Sequence, residues 1–398
     1  MTRPSNHILS TQLLDAMARE GFEQVLAVQD ETAGLRGFLG LHDTSAGPAF
    51  GGIRRFAYRD EAAALMDCLR LSKAMSYKCA LNDIPGGGAK LVVLERPEAD
   101  LSRTYRAIGR TVEGLGGRYY AGPDVGTGWQ ELSYVAEETS YVTRPGSHGP
   151  GDLSEATAAG VFASIAAGLR SRDGSEDWQR RRVVLQGVGR VGERLAQRLA
   201  SLGVHVMASE TDLDRRAELE GLLDVEWIEP SSEFTVDVDV FAPCAMGGVL
   251  HDLSIQRLSA KVVCGAANTP LARSMHADAL HRRGVLFIPD ILATAGALIR
   301  GATFHLDGEA AGLDEIESRI GATVEGFLLE ARRLDVAPWR LAKEEAERRI
   351  HARRERRVAD SLVPGVRRAK QRPEAGAAPN RSESSVDSRN SLSENLPT

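Results

Sequence analysis

The sequence predicts an α/β protein with a parallel, doubly wound sheet in the second half of the chain and a separate α/β domain in the first. Two observations carry this. From residue 182 onward, short apolar runs rich in β-branched residues alternate with helical stretches, and such alternation implies parallel strands joined by crossovers. Within it, the strand-like run 182–186 enters Gly187-Val188-Gly189-Arg190-Val191-Gly192 and then a segment of helical periodicity. At 398 residues the chain is long enough for two ordinary domains, each with its own core.

Taken in order, residues 23–60 read as strands and turns, with strands at 24–28 and 35–41 and a turn at Gly47-Pro48. The spacing of Leu65, Cys68, Leu69 and Met75 predicts a helix over 61–77. A glycine run at 86–88 and a strand over 90–94 follow, then a helix over 100–115 and a short strand over 118–121. The segment 144–151, dense in helix breakers, reads as a hinge. A helix over 155–170 precedes strands at 182–186, 204–208, 238–242, 261–264 and 285–288, with a helix over 190–202 between the first two. Two long helical patterns fill 315–357, and from about 364 the composition turns to Pro, Ser, Asn, Arg and Glu, which predicts a disordered tail. The expected divisions are 1–148, 149–329, C-terminal helices over 330–363, and the tail 364–398.

Composition excludes several classes. A net charge of -6 gives no general attraction to nucleic acid or anionic membrane, and 42% hydrophobic residues is ordinary for a soluble globular protein. No apolar stretch approaches a membrane span and the N-terminus lacks the apolar core of a signal peptide, so a cytoplasmic location is expected. Cys68, Cys79, Cys244 and Cys264 are scattered, without zinc spacing or disulfide density, and read as buried thiols. The run Arg349, Arg353, Arg354, Arg356 and Arg357 alternates with Glu344, Glu345, Glu347 and Glu355 and reads as a solvated helix face rather than a nucleic-acid surface.

Six of the 49 basic side chains are lysine, which leaves 43 arginines. A chain that uses arginine wherever a positive charge suffices keeps lysine for a task guanidinium cannot perform, such as losing a proton near neutral pH after burial. Lys78, near the end of the predicted helix, and Lys90, following the glycine run and opening the predicted strand, are the candidates. The glycines would let the main chain pass close to a small ligand.

The glycine turn at 187–192 stands between strand and helix, where its backbone and the helix N-terminus can receive a pyrophosphate. Glu210, ending the second strand 23 positions after Gly187, can accept hydrogen bonds from ribose hydroxyls and would repel a 2′-phosphate, which favours NAD over NADP. Asp212 is the other acid in range and reads as the cap of the next helix.

With these pieces placed, the chain resembles the Glu/Leu/Phe/Val dehydrogenase family, most closely its leucine, valine and phenylalanine branch. The matching stretches are Gly47–Arg54, Leu69–Lys78, Gly86–Lys90, Pro123–Thr127, Glu137–Thr143, Gln186–Gly192, Ala242–Gly248, Gly265–Thr269 and Pro289-Asp290. The resemblance implies a substrate domain completed by the C-terminal helices, a Rossmann domain, and a cleft between them. It implies Lys90 as the catalytic base, Asp124 as its assistant in proton transfer, and Lys78 as the partner of the substrate α-carboxylate. Thr157 matches the threonine that binds the nicotinamide carboxamide, and Asn268 the asparagine near the nicotinamide ribose. Phe50, Gly51, Gly122 and Leu298 would line an apolar side-chain pocket; glutamate enzymes place a lysine at position 50, so glutamate is disfavoured.

The expected reaction is the reversible, NAD-dependent deamination of an apolar L-amino acid to a 2-oxo acid and ammonia. The chemistry calls for no metal, and a homo-oligomer without nucleic-acid or membrane partners is expected. The chain departs from the family at Thr294 and Ala297, where Asn-Ala-Gly-Gly is usual, and at Thr269, where an Asn-Asn pair ends. Arg300 adds a charge near the pocket. These departures keep two alternatives open: a catalytically weakened NAD- or amino-acid-binding homologue, and a pathway enzyme for an unusual amino acid.

Overall fold

The structure, a computed structural model, describes residues 13–144 and 146–362, so the tail expected from 364 lies outside the described residues. Described residues up to Arg357 belong to one compact unit; the second, from Val358, holds only the end of the last helix among the described residues. No described helix is long and apolar enough to cross a membrane.

The first elements are α1 (Leu13–Glu20), β1 (Gln24–Asp30), β2 (Leu35–Leu41), β3 (Ala49–Phe56), α2 (Glu61–Leu81), β4 (Gly87–Leu94), α3 (Leu101–Glu113), β5 (Tyr119–Gly122) and α4 (Trp129–Ala136). Their strands form a mixed sheet in the order β1-β2-β4-β3-β5, antiparallel across β1, β2 and β4 and parallel across β4, β3 and β5. Leu39, Leu41, Ile53, Leu91, Ile108 and Tyr119 are fully buried around it, each burial contributing about 1.5–3 kcal/mol.

β3 escapes sequence reading because two glycines interrupt it, and glycine weakens strand preference. Packing demands them: a Cβ on Gly51 would lie 1.8 Å from the Ala89 carbonyl oxygen. α2 runs four residues beyond its expected end, to Leu81, and its start is capped by Asp60, whose carboxylate accepts the Ala63 N–H. β4 begins at Gly87, so Lys90 sits within the strand, opposite Gly40, rather than opening it.

The glycine run has a different use from the one expected. A Cβ on Gly88 would meet the Ser76 nitrogen at 2.2 Å and the Ser72 oxygen at 2.4 Å, and one on Gly87 the Asp43 oxygen at 1.9 Å. The missing Cβ atoms admit the protein's own backbone, not a ligand, and so bring α2 against β4.

The second series is α5 (Leu153–Asp173), β6 (Arg182–Gln186), α6 (Arg190–Ser201), β7 (His205–Ser209), α7 (Leu213–Leu219), β8 (Glu226–Trp227), β9 (Val240–Pro243), α8 (Asp252–Arg257), β10 (Val262–Val263), α9 (Met275–Arg282), β11 (Leu286–Phe287), α10 (Asp290–Ala293), α11 (Gly296–Asp307), α12 (Leu313–Leu334) and α13 (Pro338–Leu362). The sheet is parallel throughout, in the order β11-β10-β9-β6-β7-β8. Strand order reverses between β6 and β9, the switch point at which α/β sheets open a crevice. The two-residue β8 was not expected.

α13 overturns one expectation. Arg349, Arg353 and Arg354 are not a solvated face: Arg349 donates to the Ala80 carbonyl, Arg353 to those of Ile84 and Gly86, and Arg354 to those of Gly21 and His42 while pairing with Asp43 at 3.0 Å. Arg356 and Arg357 do remain exposed.

Candidate functional site

A cleft of about 1280 Å³ is lined from both sheets. β4 brings Lys90 to it and the turn after β5 brings Asp124, with the ammonium 2.6 Å from the carboxylate. Their approach depends on Gly52 of β3, where a Cβ would stand 2.8 Å from the Asp124 Cβ and 3.1 Å from the Lys90 Nζ. Arg54, two residues along β3, donates to the same carboxylate at 2.9 Å and reaches Asp67 of α2 at 3.1 Å; Asp67 in turn accepts from the Tyr58 hydroxyl at 2.6 Å.

Charge and burial compete here. Burial pushes the Asp124 carboxyl up, but the Lys90 ammonium and Arg54 guanidinium overcome it and hold it at about 2. Burial lowers the Lys90 pKa, Asp124 opposes the shift and Arg54 adds to it. Lys90 is 6% exposed and Lys78 5%, so neither is solvated as an ordinary surface lysine would be.

Lys78 lies in the last turn of α2 and donates to Asn268 Oδ1 at 2.9 Å. Burial brings it down to about 8 against the pull of Asp290, with Lys90 adding to the fall. Asp290, at the start of α10, is pushed up by its own burial while the Thr269 N–H, at 2.8 Å, and the Lys78 charge oppose this. Of the departures, Thr269 and Thr294 bond to this aspartate and Ala297 lines the cleft. Thr269 adopts φ 48, a left-handed conformation that asparagine accepts more readily than a β-branched residue. The Thr294 hydroxyl donates to the Asp290 carbonyl at 2.7 Å. Arg300 donates to the Pro150 carbonyl and packs its guanidinium beside Gly151, which lines the cleft, without lining it itself.

Phe50 lies opposite Tyr120 in the β3–β5 register, their rings stacked at 5.7 Å. Gly51, Gly122 and Leu298 line the cleft with them. His305, in the last turn of α11, packs on Tyr120 at 4.6 Å and meets the Thr143 hydroxyl at 3.2 Å.

Of the expected cofactor residues, Thr157, Gly189, Arg190, Val191 and Asn268 line the cleft; Gly187, Val188, Gly192 and Glu210 do not. Gly187 and Gly192 shape the turn, since a Cβ on Gly192 would be 2.4 Å from the Gly187 oxygen, and the Val188 side chain is fully buried. Gly189 precedes α6 with no heavy atom within 4 Å of where its Cβ would stand. Glu210 follows β7 and accepts the N–H groups of Val188 at 2.8 Å, Thr211 at 2.8 Å and Asp212 at 3.0 Å. Asp212 caps α7, as expected. The Thr157 hydroxyl donates to the Leu153 carbonyl at 2.9 Å.

Sequence reasoning gave no role to Gly52, Arg54, Tyr120, Asp290 or His305. Gly52 and Arg54 stand in the stretch Gly47–Arg54 and Asp290 in Pro289-Asp290, which is their only signal; Tyr120 and His305 come from separate elements and carry none.

The fold and cleft define a two-sheet α/β protein whose Rossmann-type half faces a buried lysine pair. Two family models match it: Glu/Leu/Phe/Val dehydrogenase, dimerisation domain, over residues 22–141, and Glutamate/Leucine/Phenylalanine/Valine dehydrogenase over residues 209–305. The chain is 33% identical to leucine dehydrogenase of Bacillus subtilis (strain 168) over 353 residues, covering 87% of this chain and 96% of the relative. It is 39% identical to phenylalanine dehydrogenase of Thermoactinomyces intermedius over 300 residues, covering 73% and 81% respectively. The crystal structure of L-tryptophan dehydrogenase from Nostoc punctiforme superposes with a TM-score of 0.71 at 33% identity, covering 86% of this chain and 99% of that one. The chain therefore belongs to the Glu/Leu/Phe/Val dehydrogenase family, and its class is that of the amino-acid dehydrogenases.

Proposed function

We propose that the protein catalyses the reversible, NAD-dependent oxidative deamination of an apolar L-amino acid, branched-chain or aromatic, to the 2-oxo acid and ammonia. The observation that carries this reading is the pair of buried lysines in one cleft, Lys90 on Asp124 and Lys78 on Asn268, next to a pocket with phenylalanine at position 50. The names of the leucine, phenylalanine and tryptophan relatives support an apolar side chain.

NAD fits the residues present. Gly189 leaves room for a close approach, and the N-terminus of α6 offers unpaired N–H groups and the positive end of the helix dipole to a pyrophosphate. Arg190 and Val191 open α6, and Thr157 and Asn268 would hold the nicotinamide end; Glu210 does not line the cleft, and its assignment to the adenosine ribose rests on its place after β7. When bound, the nicotinamide supplies the acceptor for the hydride that leaves the substrate Cα.

The protein's own part is positioning and proton transfer. Lys78 as ammonium pairs with the α-carboxylate, and Asn268 fixes its direction. Lys90, urged toward its neutral form by burial, takes the proton from the water that adds to the substrate imine carbon. Asp124, kept ionised, stabilises the ammonium so formed. The division at residues 148 and 329 into substrate, dinucleotide and C-terminal parts belongs to this reading. A homo-oligomer does too, supported by the dimerisation role named in the N-terminal family description.

The test is NADH formation at alkaline pH with leucine, valine, phenylalanine, tryptophan and glutamate, repeated with NADP. Turnover is expected with apolar substrates, at least about 100-fold below them with glutamate, since its charge would be buried unpaired. Preference for NADP would remove Glu210 from its role. NAD binding without any turnover would favour the weakened homologue, which Thr269, Thr294 and Ala297 motivate. The pathway-enzyme alternative would be favoured by turnover of none of these amino acids alongside turnover of an unusual one; Arg300, its motive, donates to the Pro150 carbonyl beside the cleft-lining Gly151.

A further inference from the structure

We infer that the substrate side chain is aromatic and that His305 is a specificity-determining residue closing the far end of its pocket. The inference rests on the reading above and narrows it. Leu298, Gly301, Ala302 and His305 are spaced i, i+3, i+4 and i+7 on α11, so they share one face of the helix, and all four line the cleft. Seven residues at about 1.5 Å of rise place His305 roughly 10 Å beyond Leu298 along the axis. Between them the face is small, and nothing lies within 4 Å of where a Cβ on Gly301 would stand. An isopropyl group would leave such a pocket part empty; a ring would fill it.

The wall beside this face is itself aromatic. Phe50, Tyr120 and His305 form a row, with ring centroids 5.7 Å apart for the first pair and 4.6 Å for the second, spacings at which rings attract one another beyond their area burial. Thr143 holds the His305 ring at 3.2 Å and is itself fixed, its N–H donating to the Ala121 carbonyl at 2.8 Å. Burial lowers the His305 pKa to about 4, so near neutral pH this wall presents an uncharged ring. A neutral imidazole suits an aryl edge and gives a side-chain carboxylate no counter-charge.

The probes are amine-free analogues: indole-3-propionate, 3-phenylpropionate and 4-methylpentanoate, titrated calorimetrically into the full-length protein. Both aryl acids are expected to bind at least about tenfold more tightly than the alkyl acid. His305→Leu should cut that preference to below about threefold. Thr143→Val, which keeps the imidazole but releases its orientation, should reduce it in the same direction. Equal binding of alkyl and aryl acids by the unmodified protein would overturn the inference, as would a preference that survives both substitutions. NADH formation is measured separately: an aryl preference without turnover would refute the dehydrogenase reading while leaving the pocket assignment standing.

Discussion

Lys90, the proposed base, is held between opposing influences. Burial and Arg54 favour the neutral amine, while Asp124 at 2.6 Å favours the ammonium, and burial is the largest of these influences. Lys90→Ala is expected to lower kcat by about 100-fold or more, the usual range for a positioned base, with the Kd for NAD within twofold of the unmodified value. More than a tenth of the original kcat would remove Lys90 from that role. Lys78 has the complementary pH dependence. Its pKa of about 8 means that it carries the charge below that pH and loses it above. KM for the amino acid should therefore rise with pH above about 8, while kcat/KM falls on the acid side as Lys90 becomes protonated. In Lys78→Ala the alkaline rise in KM should vanish and KM should be high throughout; a persistent rise would assign it to another group.

At the scale of elements, two glycines with opposite surroundings separate packing from ligand approach. Gly88→Ala drives a methyl into the backbone of α2 and is expected to cost about 3 kcal/mol, because neither strand nor helix can move aside cheaply. Denaturant unfolding would show it as a lower midpoint. Gly189→Ala meets no protein atom, so its midpoint should stay within about 0.5 kcal/mol of the original while NAD affinity falls, since the methyl would stand where the pyrophosphate approaches. A folding defect at Gly189, or none at Gly88, would reverse the two assignments.

The same elements show what sequence can convey. The strand–turn–helix at 182–201 was legible because its signals are local: an apolar run, glycines at fixed offsets, then helical periodicity. β3 was not, since its Gly51 answers to the Ala89 carbonyl on a neighbouring strand and its Gly52 to Asp124 and Lys90. Lys78 and Lys90 stood out by rarity. Arg54, one arginine among 43, could not, although it touches the same carboxylate.

For the molecule as a whole, α13 joins distant parts of the chain. Arg354 reaches two carbonyls and Asp43 near the start of the first sheet, and Arg353 reaches the carbonyls of Ile84 and of Gly86, where the glycine run begins. Arg354→Met should cost about 2 kcal/mol through the loss of these charge-assisted hydrogen bonds. It should also raise KM for the amino acid more than for NAD, because the segment released adjoins the end of α2 that carries Lys78. Equal effects on both KM values would show that α13 supports the fold without bearing on the substrate side.

The length of chain between Gly86 and Arg353 also sets an order of events during synthesis. At about 5–20 residues per second, some tens of seconds separate the emergence of that carbonyl from that of its guanidinium partner. Through that interval the backbone around the glycine run lacks its α13 partners, and it is expected to be open to chaperones and proteases. A nascent chain stalled before α13 should accordingly be cut near residues 80–86 by a protease to which the finished protein is resistant there.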